Sequence, residues 1–211
     1  MIKKLKFKQY LPFHLNRIRY DFFKCPEENE MFEGEKVRLR SVELTDIDAI
    51  MENWNNLKLR RFLHEPRPYS REEEIEWIRG TWQRRKAGTE YQFAVEDKET
   101  KEFLGGGGLF SINQVARSAE LGIAIHAEKN WGKGYGTDTM RVLLEFGFNY
   151  LNLNSIRLRV NDFNVRGIKT YKKVGFTEVG KLRQANFVEG KYNDMIFMDI
   201  LKEEWEKMKE K

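Results

Sequence analysis

Three glycines spaced two apart, Gly132, Gly134 and Gly136, stand immediately before a predicted helix over 135–151, and they restrict the fold more than any other feature of the chain. Met140, Leu143, Leu144, Gly147 and Leu151 recur at helical spacing, so this helix buries one face. The first N–H groups of a helix have no partner within it and carry a partial positive charge. Glycines let an anion reach them without Cβ interference, Thr137 adds a hydroxyl, and Lys133 adds a charge at the rim. Trp131 to Thr137 is therefore a candidate phosphate-binding turn. It is neither G-x-G-x-x-G, because position 137 is Thr, nor a P-loop, because no G-K-[ST] occurs there. Taken alone, the loop supports an anion site at a helix start or a glycine turn with no ligand.

The rest of the chain supplies a sheet for that helix to pack on. Alternating residues predict strands over 35–41, 91–96, 102–112, 119–125, 155–160, 177–187 and 192–201. Thr45 is expected to cap a helix carrying Ile47, Ile50, Met51 and Trp54. Ser70-Arg71-Glu72-Glu73 is a capping box before a second helix with Ile75, Ile78 and Trp82 on its apolar face. Glu72-Glu73-Glu74 reads as a solvated helix start, the other reading being attraction of a cationic substrate. A short helix over 165–174 stops at Gly175, and a charged helix over 203–209 follows the last strand. The run Gly105-Gly106-Gly107-Gly108 inside a strand suggests room made for a neighbouring group, with loop flexibility as the alternative. Helices fall between strands only at certain points, so the fold class is α/β (α+β by some schemes) with a mixed sheet.

Composition narrows the function classes. The 211 residues carry a net charge of +5, but residues 1–24 alone hold +6, which leaves −1 for the remainder. The basic character belongs to the arm and does not make the main body a nucleic-acid binder. The arm, residues 1–30, has three readings: a flexible basic segment, a helix packing on the body or a partner, or upstream coding before a start at Met31. A nucleic-acid or ribosome contact through residues 1–24 is a further option. Residues 31–211 are expected to form one domain. No apolar run is long enough to span a membrane. Cys25 is the single cysteine, so residues 31–211 contain neither thiol nucleophile nor cysteine-based zinc site, and a reducing, cytoplasmic location is expected. His14, His64 and His126 are scattered and read as surface or packing residues, so no metal is expected.

The loop, with Gly134 and Gly136 in register, resembles the Arg/Gln-x-x-Gly-x-Gly/Ala element of the GNAT superfamily of N-acetyltransferases, with Trp131 where Arg or Gln is usual. Downstream, Asn164-Val165-Arg166-Gly167, Tyr171 and Gly175-Phe176 resemble the superfamily's Asn-x-x-Ala/Ser, Tyr and Gly-Phe signature, with Gly167 a departure. Arg38-Leu39-Arg40, Ser118-Ala119-Glu120-Leu121-Gly122 and Gly190-Lys191-Tyr192-Asn193-Asp194 look like the branch of ribosomal-protein N-terminal and spermidine acetyltransferases. The resemblance covers about residues 33–201 and implies a mostly antiparallel mixed sheet of about seven strands flanked by helices.

The resemblance also implies the chemistry. Acetyl-CoA is the cosubstrate, and its acetyl group passes directly to a primary amine, without an acyl-enzyme. Backbone amides around Lys133, Gly134, Tyr135, Gly136 and Thr137 would hold the pyrophosphate. The pantetheine arm would run beside Ile123, Ala124 and Ile125, with Asn164 bonding it from the other side. Tyr171 would protonate the departing thiolate, its alternative being a packing tyrosine. Glu120, the candidate base acting through water, is equally a structural strand carboxylate. A protein α-amine, with pKa ~8, needs a base far less than a polyamine nitrogen with pKa ~10.4. Protein N-termini and polyamines are both expected acceptors, and a homodimer is left open. A non-catalytic acetyl-CoA-binding module is the rival class.

Overall fold

The computed structural model describes residues 32–63 and 67–209. The arm, Cys25, His14 and His64 lie outside them. Strand β1 (Val37–Ser41) is followed by α1 (Ile47–Trp54), α2 (Leu57–Arg60) and α3 (Arg71–Lys86). Three strands come next, β2 (Tyr91–Asp97), β3 (Phe103–Asn113) and β4 (Ser118–Ile125). Helix α4 (Tyr135–Glu145), β5 (Ser155–Asn161), α5 (Val165–Lys173), β6 (Thr177–Val188), β7 (Lys191–Leu201) and α6 (Lys202–Lys209) complete the order.

The seven strands form one sheet in the order β1-β2-β3-β4-β5-β7-β6. Every neighbouring pair is antiparallel except β4–β5, where α4 supplies the crossover that a parallel pair requires. That pair is short. Ser118, Ala119 and Glu120 face Ser155, Ile156 and Arg157, and beyond them the two strands part. The sheet therefore opens on one side of its centre.

Alternate residues of β2 show how the helices are shared between the two faces. Phe93 and Val95 join the larger core with Met140, Leu143 and Leu144 of α4, while Ala94 joins a smaller cluster with Ile47, Ile50 and Ile78 of α1 and α3. The glycine run serves strand packing. A Cβ on Gly105, whose φ is +152°, would lie 2.0 Å from the carbonyl oxygen of Ala124 on β4. Room beside the strand, not flexibility, is the reason for the run.

Local differences from the sequence reading have physical causes. Thr45 does not cap α1. Glu43 and Asp46 form a capping box around a short 3-10 turn, because Asp46 accepts the Glu43 N–H at 2.9 Å and is itself held by Arg40. The Ser70–Glu73 box is present at the start of α3. The helix expected over 135–151 continues as a single π turn, Phe146–Tyr150, after α4. Helix α2 has four residues, too few to show a period.

Candidate active site

The phosphate turn is built as its glycines imply. Gly134 is the N-cap of α4 with φ +93°, a left-handed conformation that strains any residue with a Cβ. Two side-chain anchors hold this helix start against the sheet. The Tyr135 hydroxyl donates to Asp97 Oδ2 at 2.5 Å, and Asp138 accepts backbone N–H bonds from Glu35, Lys36 and Val37. Donating to that carboxylate pushes the Tyr135 phenol up to about 12, while the Thr100 N–H, with Tyr135 second, holds Asp97 down at about 2.

A cleft of about 280 Å³ runs from the turn into the gap between β4 and β5. Gly134, Tyr135, Gly136 and Thr137 line one end, Ile123 and Ile125 one side, and Asn164 and Tyr171 the other. Ten of the eleven residues expected from the sequence at the cofactor or the chemistry thus border this cleft or the cavity beside it. Lys133 is on neither wall, and its carbonyl accepts a bond from Lys36 Nζ at 2.9 Å. The charged side chains that the described cleft does present are Arg166 and Lys173, both cationic, with no carboxylate among them. Sequence reasoning missed both. Their signal was their position on α5, two turns apart and so on one helix face.

Two expected groups have a structural duty as well. Asn164 Oδ1 caps α5 by accepting the Gly167 N–H at 3.0 Å, so its side-chain NH2 is the part left for a ligand. Trp131 donates its indole N–H to the Ile125 carbonyl at 2.6 Å, so that carbonyl already has a donor before any ligand approaches.

A second cavity, of about 530 Å³, lies on the other side of the same wall. Phe62, Leu63, Ile123, Ala124 and Tyr171 border both spaces. Burial pushes the Tyr171 phenol up to about 12, so it keeps its proton at any neutral pH. Glu120 lines the second cavity and accepts from Arg159 Nε at 2.8 Å. Glu74 turns inward from the acidic run. It is buried, accepts the Trp54 indole N–H at 2.6 Å, and has its pKa raised by burial. The solvated reading of this run fails at Glu74 and holds at Glu72 and Glu73, which are exposed. His126 is buried between the rings of Trp54 and Phe103, and burial pulls it down to about 4. Its Nδ1 has no partner.

The arrangement is two compartments meeting at one tyrosine. One is an anion-friendly cleft that starts at a helix N-terminus and continues along an open strand edge. The other is an aromatic cavity with balanced charges: Arg60 and Arg159 against Glu74 and Glu120 among its described residues. A long phosphorylated thioester fits the first, and an amine fits the second.

Comparison with known proteins points the same way. Residues 36–177 match the family model described as acetyltransferase (GNAT) domain. The chain is 32% identical over 170 residues to a spermidine N(1)-acetyltransferase of Vibrio cholerae, covering 81% of this chain and 95% of that one. It is 35% identical over 98 residues to a putative ribosomal N-acetyltransferase of Bacillus subtilis, covering 46% of this chain and 53% of that one. Among solved structures, the Vibrio cholerae spermidine N-acetyltransferase in complex with CoA and spermine superposes with a TM-score of 0.73 at 31% identity, covering 80% of this chain and 97% of that one. The chain belongs to the GNAT acetyltransferase family and is an N-acetyltransferase that takes its acetyl group from acetyl-CoA and passes it to an amine.

Proposed function

We propose that transfer takes place at the wall shared by the two compartments, with Tyr171 as the acid and a protein N-terminal α-amine as the preferred acceptor. The observation that carries the first half is that Tyr171 borders both the cleft and the cavity. Acetyl-CoA supplies the activated acetyl group as a thioester. The open edge of β4 at Ile123 and Ala124 orients it, the amine nitrogen attacks the carbonyl carbon from the cavity side, and the C–S bond breaks. Tyr171 gives its proton to the departing sulfur. Its raised pKa makes that transfer more demanding than it would be from a free phenol. Glu120, held by Arg159, takes the amine proton through water.

The acceptor follows from the charge balance. A polyamine brings several positive charges, and the described residues of the cavity, with two carboxylates and two guanidinium groups, offer them no net counter-charge. A peptide α-amine brings one and is partly neutral near pH 7, and the walls of Trp54, Trp77, Phe103 and Phe110 suit an apolar side chain beside it. Polyamine acetylation is the second reading, favoured by the relatives that carry that name. Turnover of acetyl-CoA with a set of peptide N-termini and with spermidine decides between them. A kcat/KM for spermidine above that for every peptide overturns the α-amine assignment.

We also place the enzyme in the cytoplasm, on the strength of a body without cysteine. No helix among the described residues is long and apolar enough to cross a membrane.

A further inference from the structure

Arg166 differs from three arginines near the site, each of which faces a carboxylate. Arg61 pairs with Glu189, Arg67 with Glu73 and Arg159 with Glu120. Arg166 has no ion pair among the described residues. Its guanidinium lies 4.1 Å from the centre of the Trp131 ring and 5.7 Å from that of Phe62. Trp131 is itself fixed by its bond to the Ile125 carbonyl and by an edge-on contact with Phe62. A rigid indole in the cleft wall thus carries a cation on its face. Stacking engages the face of a guanidinium and leaves its in-plane N–H donors free for an oxyanion, the geometry in which arginine binds phosphate.

The surroundings say which ligand. Arg166 and Lys173 are the charged side chains of the described cleft, and that cleft begins at the glycine turn of α4. Lys133, the cation that the loop itself offers, is not on its wall. Trp131 brings no charge, so among the side chains that line the described cleft the full positive charge comes from α5, across from the glycine turn.

We infer that Arg166, held over the Trp131 ring, is the principal side-chain ligand of a phosphate group of CoA, with Lys173, two turns further along the same face of α5, as a secondary one. The assignment rests on acetyl-CoA as cosubstrate and adds a binding residue on α5 that the glycine turn does not supply. The shared chemistry is a phosphate oxyanion, and both the pyrophosphate and the ribose 3′-phosphate provide it.

The test compares three acetyl donors, acetyl-CoA, its 3′-dephospho form and S-acetylpantetheine, which has neither phosphate group, in the wild type, Arg166→Gln and Arg166→Glu. Arg166→Gln is expected to lower kcat/KM for acetyl-CoA about tenfold, mostly through KM, and Arg166→Glu by more. S-acetylpantetheine should be used equally well by all three proteins. A loss that persists with the dephospho donor assigns Arg166 to the pyrophosphate, and one that disappears assigns it to the 3′-phosphate. Equal losses with acetyl-CoA and S-acetylpantetheine overturn the inference, because the side chain then supports the fold or the pantetheine channel. So does an Arg166→Glu loss no larger than that of Arg166→Gln. Calorimetric titration of CoA against pantetheine reads the same contrast without catalysis, so that an inactive wild type would count against the acetyltransferase reading and leave Arg166 to be judged on binding.

Discussion

Asp138 Oδ2 accepts the backbone N–H of Lys36 at 2.7 Å, joining residues 102 positions apart in sequence. The same carboxylate takes the N–H groups of Glu35 and Val37, so the first turn of α4 holds the start of β1 with one side chain. Asp138 is buried, and removing it leaves three backbone donors to find other partners. Asp138→Ala should cost about 3 kcal/mol of stability. Urea unfolding checks this: the midpoint falls while the slope stays that of the wild type.

Tyr171→Phe should lower turnover tenfold or more and leave CoA affinity nearly unchanged, because the ring and its packing remain. Steady-state kinetics with calorimetric CoA titration measures both. A fully active Phe variant removes the acid role and makes Tyr171 a packing residue.

Glu120→Gln should move the activity profile to higher pH, where more of the amine is already neutral. Its partner Arg159 gives a control. Arg159→Gln removes the bond that orients Glu120 but keeps the carboxylate, so activity should fall less and its pH profile should move less than in Glu120→Gln. Profiles of kcat/KM from pH 6 to about 10 separate the two, and an unmoved Glu120→Gln profile with full activity clears Glu120 of base duty.

His126 gives a stability prediction with a definite sign. Burial depresses its pKa from 6.5 to about 4, so the unfolded chain binds a proton that the folded chain refuses. Stability is complete above the unfolded value and is lost as pH falls from 6.5 towards 4, by about 3 kcal/mol at the bottom of that window. A His126→Leu variant should lack this part of the acid slope when unfolding is followed across the same range. An identical slope in both proteins assigns the acid loss elsewhere.

Gly134→Ala tests the phosphate turn. At φ +93° an added Cβ is strained by about 1–3 kcal/mol, so CoA affinity should drop while the remainder of the fold persists. Affinity is read by titration and fold retention by the unfolding midpoint.

How much of this was legible in the sequence depended on how local each signal is. The glycine turn, the Ser70 box and the helix stop at Gly175 are written in a few adjacent residues, and each is found where it was expected. So is Tyr171, because a family signature fixes its spacing. Glu74 was misread because three equal glutamates stand in a row, and only the packing of Trp54 against α3 decides which one turns inward. Arg166 was passed over because its role depends on Trp131, thirty-five positions away, and stacking between distant residues leaves no period to detect. The expectations about residues 1–30 lie outside the described residues.

The brief β4–β5 pairing has a mechanical consequence. The two parts of the sheet are stiff plates joined along a seam three residues wide, and the cleft is the slot where they gape. A molecule lodged in that slot braces both plates. Amide exchange along Leu121–Ile125 and Leu158–Asn161 should therefore slow when CoA binds, even in residues that never touch it, and cofactor occupancy would be recorded as rigidity of the whole sheet.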